Sequence, residues 1–374
     1  MKLKRCVVLS DSFKGSLTSR EICGMVREEA EKLVPDCTVL TLPMADGGEG
    51  TGVCLRELLG GNTVKVKNIT GPLGDKLEAE YVLLADGTAV IETAAAAGLP
   101  MVEGREDPLH TTTFGVGQLM AHAVACGAKR LVLGLGGSCT NDCGCGCAVA
   151  LGARFLDTAG REFLPTGGSL DRIAHMELDG LRRLLEGVTV TAICDVDNPM
   201  YGPEGAAFVF APQKGANPAQ VVLLDENLRD MDRLFRRELG LSLAETPGAG
   251  AAGAFGAGVL ALLGGELKPG VDAILNLLHF EELIADADLI LTGEGRLDSQ
   301  SLQGKVVGGV AARAAVLGVP VIALVGEAVG ELEAPGLTAV FSINKRPLPF
   351  AEAKLHSREN YRQTLDDLFR ILTL

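Results

Sequence analysis

Two patterns of apolar residues alternate at the start of the chain. Residues 6–9 form an unbroken apolar run that reads as a buried strand, 19–33 carry apolar residues at helical spacing, and 38–42 return to strand. A polar, glycine-containing stretch then leads into a helix over residues 50–58. Strand, helix, strand, helix predicts a parallel sheet, because parallel neighbours need a crossover long enough to hold a helix. From residue 62 the rhythm shortens to strand-like runs at 64–69, 79–84 and 89–92, separated by Gly71-Pro-Leu-Gly74 and by Asp86-Gly87. Asp-Gly between such runs signals a tight hairpin. A domain with antiparallel strands is therefore predicted to begin near residue 64.

Farther on, residues 115–127 read as a helix, 131–135 as a strand, 148–155 as a helix, and 188–194 as a strand ending in Asp195-Val-Asp197-Asn198-Pro199. Residues 220–239, with charges spaced among Val, Leu, Met and Phe, read as a surface helix. Strands at 288–292 and 319–325 flank another helical stretch, and 358–374 close the chain as an amphipathic helix. The expected fold class is α/β with two domains. A parallel-sheet domain is built from both chain ends, 1–63 and 285–374, and a mixed-sheet domain, 64–284, is inserted between them.

The length of 374 residues supports that division, since one hydrophobic core rarely grows beyond roughly 250–300 residues. With 47% hydrophobic and 22% charged residues the chain is neither disordered nor fibrous. Its 34 basic and 48 acidic residues leave a net charge of −14, which argues against nucleic acid and anionic membranes, since both call for basic surface. An anionic ligand must then be captured by local N–H nests, a few Lys or Arg, or a bound cation, Mg²⁺ if phosphate is involved. The first nine residues hold only four consecutive apolar positions, too few for a signal peptide, and the longest weakly polar run, 250–265, contains six glycines and is too short to span a bilayer. A cytoplasmic protein is expected, its ten cysteines reduced.

Open α/β sheets bind ligands beyond the carboxyl ends of their strands. Gly136-Gly137-Ser138-Cys139-Thr140-Asn141-Asp142 stands there, between a strand and a helix, so its N–H groups can face a phosphate or carboxylate. Ser10–Ser16 brings Ser12 and Lys14, whose ammonium can neutralise phosphate charge. Asp46-Gly47-Gly48-Glu49-Gly50 offers hard oxygen ligands on tightly bent backbone. Asp195–Pro199 and Thr292-Gly293-Glu294-Gly295-Arg296-Leu297-Asp298 complete the set. Each also reads as an ordinary turn or helix cap, because Asp, Ser, Thr and Gly are the usual turn residues.

Other conspicuous patterns lead nowhere. Gly304-Lys305 lacks the remaining P-loop positions, with Ser299 in place of Gly and Val306 in place of Ser or Thr. Gly248-Ala-Gly250-Ala-Ala-Gly253 has dinucleotide-fingerprint spacing but follows Glu245-Thr-Pro247 rather than a strand. Cys139, Cys143, Cys145 and Cys147 contain no Cys-x-x-Cys pair and have no nearby His, so small residues filling a tight loop are expected there, not zinc ligands. The histidines are scattered, and no Ser-His-Asp arrangement can be drawn.

Taken together, Asp11-Ser-Phe-Lys-Gly-Ser16, Asp46-Gly-Gly-Glu-Gly-Thr51, Pro108-Leu-His-Thr-Thr-Thr-Phe-Gly115, Gly136–Asp142, Cys194-Asp-Val-Asp-Asn-Pro199, Gly248–Gly253 and Thr292–Asp298 resemble the type I glycerate kinase family, in order across residues 6–327. The resemblance implies ATP-dependent phosphorylation of D-glycerate with Mg²⁺, 2-phosphoglycerate being expected rather than 3-phosphoglycerate. It also implies a flavodoxin-like fold for the parallel-sheet domain and a restriction-endonuclease-like fold for the inserted one. The chain departs from the family pattern at Cys139 and Cys143, where small residues are usual, and at Ala254, where Gly is usual.

Within that reading Asp195, which opens a loop directly after a buried strand, is the expected base for the substrate hydroxyl, with Asp197 as the alternative. Lys14 is assigned to phosphate charge and Arg296 to the substrate carboxylate. Asp46 and Glu49 are the expected Mg²⁺ ligands. Anionic oxygens of substrate or nucleotide are assigned to Ser12, Gly47, Gly48, Thr112, Thr113, Gly136, Gly137, Ser138, Thr140, Asn141, Asp142, Asn198, Gly293, Glu294, Gly295 and Asp298, with transfer in the cleft between domains. The expected partners are D-glycerate and ATP, without nucleic acid or membrane, and a homodimer is left open. Kinases of other small hydroxy acids, a non-catalytic sugar-acid sensor and a nucleotide-dependent oxidoreductase are the competing classes.

Overall fold

The computed structural model describes residues 3–44, 51–299, 302 and 305–373, and every count below refers to these. The chain divides into two compact units, one formed by residues 1–46 and 269–374, the other by 47–268.

In the first unit the strands Arg5–Ser10, Thr38–Thr41, Leu289–Leu297, Val321–Ala328 and Leu337–Ser342 are all parallel and lie in the spatial order 2-1-3-4-5. That is the order of flavodoxin-like sheets. Cys6, Val7, Val8 and Leu9 are wholly buried, which is why that strand reads as an unbroken apolar run rather than an alternating one. The helix Ser19–Leu33 begins on a capping box in which Thr18 Oγ1 accepts from the Glu21 N–H while Glu21 accepts from the Thr18 N–H. Its buried face, Ile22, Met25, Val26 and Ala30, shares a core with Leu365 and Phe369 of the closing helix Phe350–Leu372.

The second unit holds a six-stranded mixed sheet. Gly61–Thr70, Lys76–Leu84, Thr88–Glu92, Arg130–Gly134, Thr189–Ile193 and Glu266–Lys268 lie side by side in chain order. The first two pairings are antiparallel and the remaining three parallel. The turn at Asp86-Gly87 closes with the Thr88 N–H donating to Asp86 Oδ1 at 2.9 Å.

Two expectations change. The division points move from 64 and 285 to 47 and 269. Helix Thr51–Leu59 packs on the antiparallel strands of the second unit, whereas Gly270–Leu277 and Phe280–Ile284 pack on Val306–Leu317 of the first. The helix expected over 148–155 spans only Cys145–Ala150, because Gly152 takes φ +103° and turns the chain into the strand Arg154–Leu156 of a small separate sheet. Among the described residues no helix is long and apolar enough to cross a membrane.

Candidate functional site

The densest polar construction lies in the second unit, after the strand Arg130–Gly134. The loop that follows is stitched to its neighbours along its length. Gly137 O accepts from the Leu99 N–H, and the Cys139 N–H donates to Ala97 O, both at 2.9 Å. Thr111 Oγ1 donates to Cys139 O at 3.0 Å, and the Cys143 N–H donates to Gly253 O at 3.1 Å. Gly136 and Gly137 are exposed, whereas Ser138, Thr140, Asn141 and Asp142 are buried. Glycine backbone therefore faces solvent while the polar side chains are enclosed.

Asp142 is the hub of this construction. Its Oδ2 accepts from the Thr113 N–H at 2.8 Å, Thr113 Oγ1 at 2.9 Å and the Gly146 N–H at 3.2 Å, and its Oδ1 accepts from the Gly144 N–H at 3.2 Å. The carboxylate thus joins the first turns of helices Phe114–Ala125 and Cys145–Ala150, where negative charge is favoured. Burial pushes its carboxyl up from the ordinary value, and the surrounding donors pull against that shift. Thr113 Oγ1 also accepts from the Cys147 N–H at 2.9 Å, and Thr112 Oγ1 lies 3.5 Å from Asp142. Thr112, Thr113 and Asp142 were assigned to ligand oxygens, but their hydrogen bonds are directed into the unit. An ionised carboxylate only accepts hydrogen bonds, so Asp142 has no donor to offer an anion.

The residues just before Asp142 are the opposite case. Thr140 Oγ1 and both polar atoms of the Asn141 side chain are buried with no hydrogen-bond partner among the described residues. Such groups cost about 1–3 kcal/mol each, and native structures keep few of them. Lys214, which no sequence motif marks, lies against the same loop. The residue is 2% exposed, its ammonium donates to Thr140 O at 2.7 Å and Ser138 Oγ at 3.1 Å, and among the described residues no carboxylate pairs with it. Burial pushes its pKa down to about 8. Pro212-Gln213-Lys214-Gly215 carries no motif, and a turn lysine in a single sequence reads as solvated. Only the packing of the short helical turn Pro212–Lys214 against this loop encloses it.

The glycine-rich segment after Pro247 supports the loop from another side. Ala252, Gly253 and Ala254 take φ of +54°, +69° and +65°, a left-handed turn within the helix Ala251–Ala261. A Cβ on Gly253 would lie 2.1 Å from Thr140 O, so this close approach requires glycine. Ala254, where the family pattern has Gly, holds a conformation that costs an L-residue about 1–2 kcal/mol. The segment packs on Thr140 and Asn141, and its resemblance to a dinucleotide fingerprint is one of spacing alone.

Asp195 and Asp197 are exposed on the segment after the parallel strand Thr189–Ile193. Its backbone is held where Asn198 Nδ2 donates to Glu204 O at 2.8 Å and Asn198 O accepts from the Gly250 N–H at 3.0 Å. Asn198 is thus engaged in shaping the segment. The structure brings Thr112, Thr113, Gly136–Asp142 and, through the 248–254 segment, Asn198 into one connected network.

In the first unit, Ser12 and Lys14 follow the strand Arg5–Ser10, with Lys14 exposed. Gly293, Glu294, Gly295 and Arg296, expected in a loop, belong to the strand Leu289–Leu297, which stays paired to Val321–Ala328 as far as Leu297. The glycines permit this, since a Cβ on Gly293 would lie 2.1 Å from Leu324 O. Asp11 is joined to the same strand by its N–H donating to Gly293 O at 2.9 Å. Glu294 is buried with Lys305 Nζ 4.0 Å away. Arg296 is exposed and stands 3.7 Å from Asp298 and 3.6 Å from Glu327. Asp46, Gly47, Gly48 and Glu49 lie outside the described residues.

Cys143, Cys145 and Cys147 belong to the apolar core of the second unit, and Cys139 is buried beside them. Burial pushes the Cys139 thiol up to about 12 and raises the other three as well. Thiols so held are poor ligands and poor nucleophiles. Cys139→Ala combined with Cys143→Gly is expected to leave kcat within about twofold of the starting protein, because neither thiol is placed for chemistry and Cys143 has φ +54°, which glycine adopts freely. Steady-state rates together with elemental analysis for metal check this, and loss of a bound metal would overturn the packing role.

Comparison with known proteins agrees with this architecture. The model of the glycerate kinase family matches residues 6–373. The glycerate kinase of Bacillus subtilis (strain 168) is 41% identical over 369 residues, covering 97% of this chain and 96% of its own. The glycerate 2-kinase of Escherichia coli (strain K12) is 41% identical over 344 residues, covering 91% and 90%. A crystal structure described as glycerate kinase 2 from Salmonella typhimurium LT2 superposes with a TM-score of 0.85 at 40% identity, covering 99% of this chain and 98% of that one. An α/β chain matched by that family model over nearly its whole length, with relatives this similar, is a kinase and belongs to the glycerate kinase family.

Proposed function

We propose that the chain transfers the γ-phosphoryl group of ATP to the 2-hydroxyl of D-glycerate, releasing ADP and 2-phosphoglycerate. The observation that carries this beyond family membership is the loop 136–142. Exposed glycine backbone, two side chains with orphaned polar atoms and a buried, carboxylate-free ammonium gather in a protein of net charge −14, at the carboxyl end of a parallel strand. Donors concentrated where the global field repels anions fit an anionic substrate.

Phosphoryl transfer asks for positioning and charge neutralisation more than covalent chemistry. Asp195 orients the hydroxyl and accepts its proton, Lys14 offsets charge on the transferred group, and Arg296 receives the carboxylate. Glu294, Asp298 and Ser12 complete the polar surface of the first unit. Mg²⁺ supplies further neutralisation when bound, with Asp46 and Glu49 holding it. Mg²⁺ is commonly held by one or two carboxylates together with substrate phosphates. Among the described residues no group of three or more His, Cys, Asp or Glu gathers as a metal site.

The expected result is ADP release that requires D-glycerate and Mg²⁺, is lost with excess chelator and is restored by adding Mg²⁺. Phosphorus and proton NMR of the product should show phosphate on the 2-oxygen. Calorimetric binding of D-glycerate without ADP release would make the chain a sensor instead, and turnover of a different hydroxy acid in preference to glycerate would reassign the substrate.

A further inference from the structure

Lys214 poses a physical problem that the proposed roles do not solve. An ammonium taken out of water is expensive unless its charge is met, and unpaired buried lysines are rare. This one has hydrogen bonds to Ser138 Oγ and Thr140 O but no carboxylate partner among the described residues. The Asp142 charge steadies it through space but makes no hydrogen bond to it. The Asp142 oxygens accept from Thr113, Gly144 and Gly146, and Glu106, whose Cβ would crowd any side chain at Gly215, is exposed. The Cys139 thiol is pushed up to about 12 and stays neutral at ordinary pH.

The direction of the hydrogen bond to Ser138 decides what the lysine does. An ammonium only donates, so Ser138 Oγ must accept, and its own proton points elsewhere. Among the described residues that proton has no acceptor: the only hydrogen bond at Ser138 Oγ is the one it receives. Ser138 follows the exposed Gly136-Gly137, and the Asn141 side chain, with its donor and acceptor orphaned, is in the same loop. We propose that Lys214 is a positioning residue that turns the Ser138 hydroxyl proton away from itself, as a charge-backed donor to an anionic oxygen of a bound substrate. That oxygen belongs either to the hydroxy-acid carboxylate or to a nucleotide phosphate. A hydroxyl that accepts from a cation is a stronger donor, and the buried charge behind it is little screened.

The proposal rests on the kinase reading, which ADP release by the unaltered protein tests separately. Lys214→Met keeps length and packing while removing charge and donors. It is expected to raise KM for one substrate by about 10–100-fold, the range for a lost hydrogen bond to a charged group, with kcat changed far less. If KM for glycerate rises the oxygen is the carboxylate's, and if KM for ATP rises it is the phosphate's. Ser138→Ala should affect the same KM, and the double variant should be no worse than the poorer single one, because both changes break one relay. Should Lys214→Met fail to fold, the unaltered protein still provides a test. Its free-state pKa of about 8 lies below the 10.5 of an ordinary lysine, and a bound anion would retain the proton. The same KM is therefore expected to be flat below about pH 8 and to rise towards tenfold per pH unit above it. An unchanged KM for both substrates in Lys214→Met, strictly multiplicative effects in the double variant, or a KM flat from pH 7 to 9.5 would overturn the proposal.

Discussion

Asp195→Asn is expected to lower kcat by about 10²–10⁴-fold, the range for a lost general base, while KM for glycerate stays close to that of the unaltered protein. The exposed carboxylate is carried on a backbone segment fixed by the hydrogen bonds of Asn198, so the amide should occupy the same place without disturbing the fold. Asparagine retains an acceptor to orient the hydroxyl but cannot take its proton. Steady-state kinetics alongside a circular-dichroism melt check this. Activity within about tenfold of the starting rate would remove Asp195 from the role, and the same loss in Asp197→Asn alone would transfer it there.

Asp142→Ala is expected to destabilise the second unit strongly. It would strand the N–H groups of Thr113, Gly144 and Gly146 and the Thr113 hydroxyl, all buried, and remove the cap shared by two helices. Lost caps and orphaned donors together amount to about 3–5 kcal/mol. For a unit of this size that is roughly 10 °C in the midpoint of thermal unfolding. Asp142→Asn keeps an acceptor and should lose less than half as much. A protein of unchanged stability that had lost its affinity for substrate would show instead that Asp142 faces the ligand.

The two expectations concern residues that look alike in the sequence, both acidic and both in loops after parallel strands. Asp195 stays exposed, whereas Asp142 is followed by a short helix whose first N–H groups fold back onto it, with Thr113 joining from another element. No pattern within a few residues of Asp142 reveals Thr113, which is 29 positions away. The strand Leu289–Leu297 was foreshortened for a similar reason. Gly293 reads as a turn residue when seen alone, and only the Leu324 carbonyl lying across from it shows that glycine serves close strand pairing there.

Signals that depend on neighbours in sequence were legible. The helix Ser19–Leu33 matched its expected ends because its capping box and apolar stripe are contained in those residues. The Asp86-Gly87 turn, the unbroken runs of the parallel strands and the long helix Pro218–Leu239, begun by Asn217 and Pro218 and stopped by Gly240, are local in the same sense. So was the order of glycine- and carboxylate-rich loops that identified the family. What the tertiary structure alone decided is which polar groups are already satisfied. Thr112, Thr113 and Asp142 became part of the loop's support, Gly253 and the left-handed turn around it became its buttress, and Lys214, in an unremarkable turn, became its buried charge. Whether a donor is left over for a ligand depends on partners distant in sequence, and burial sets the cost of leaving it over.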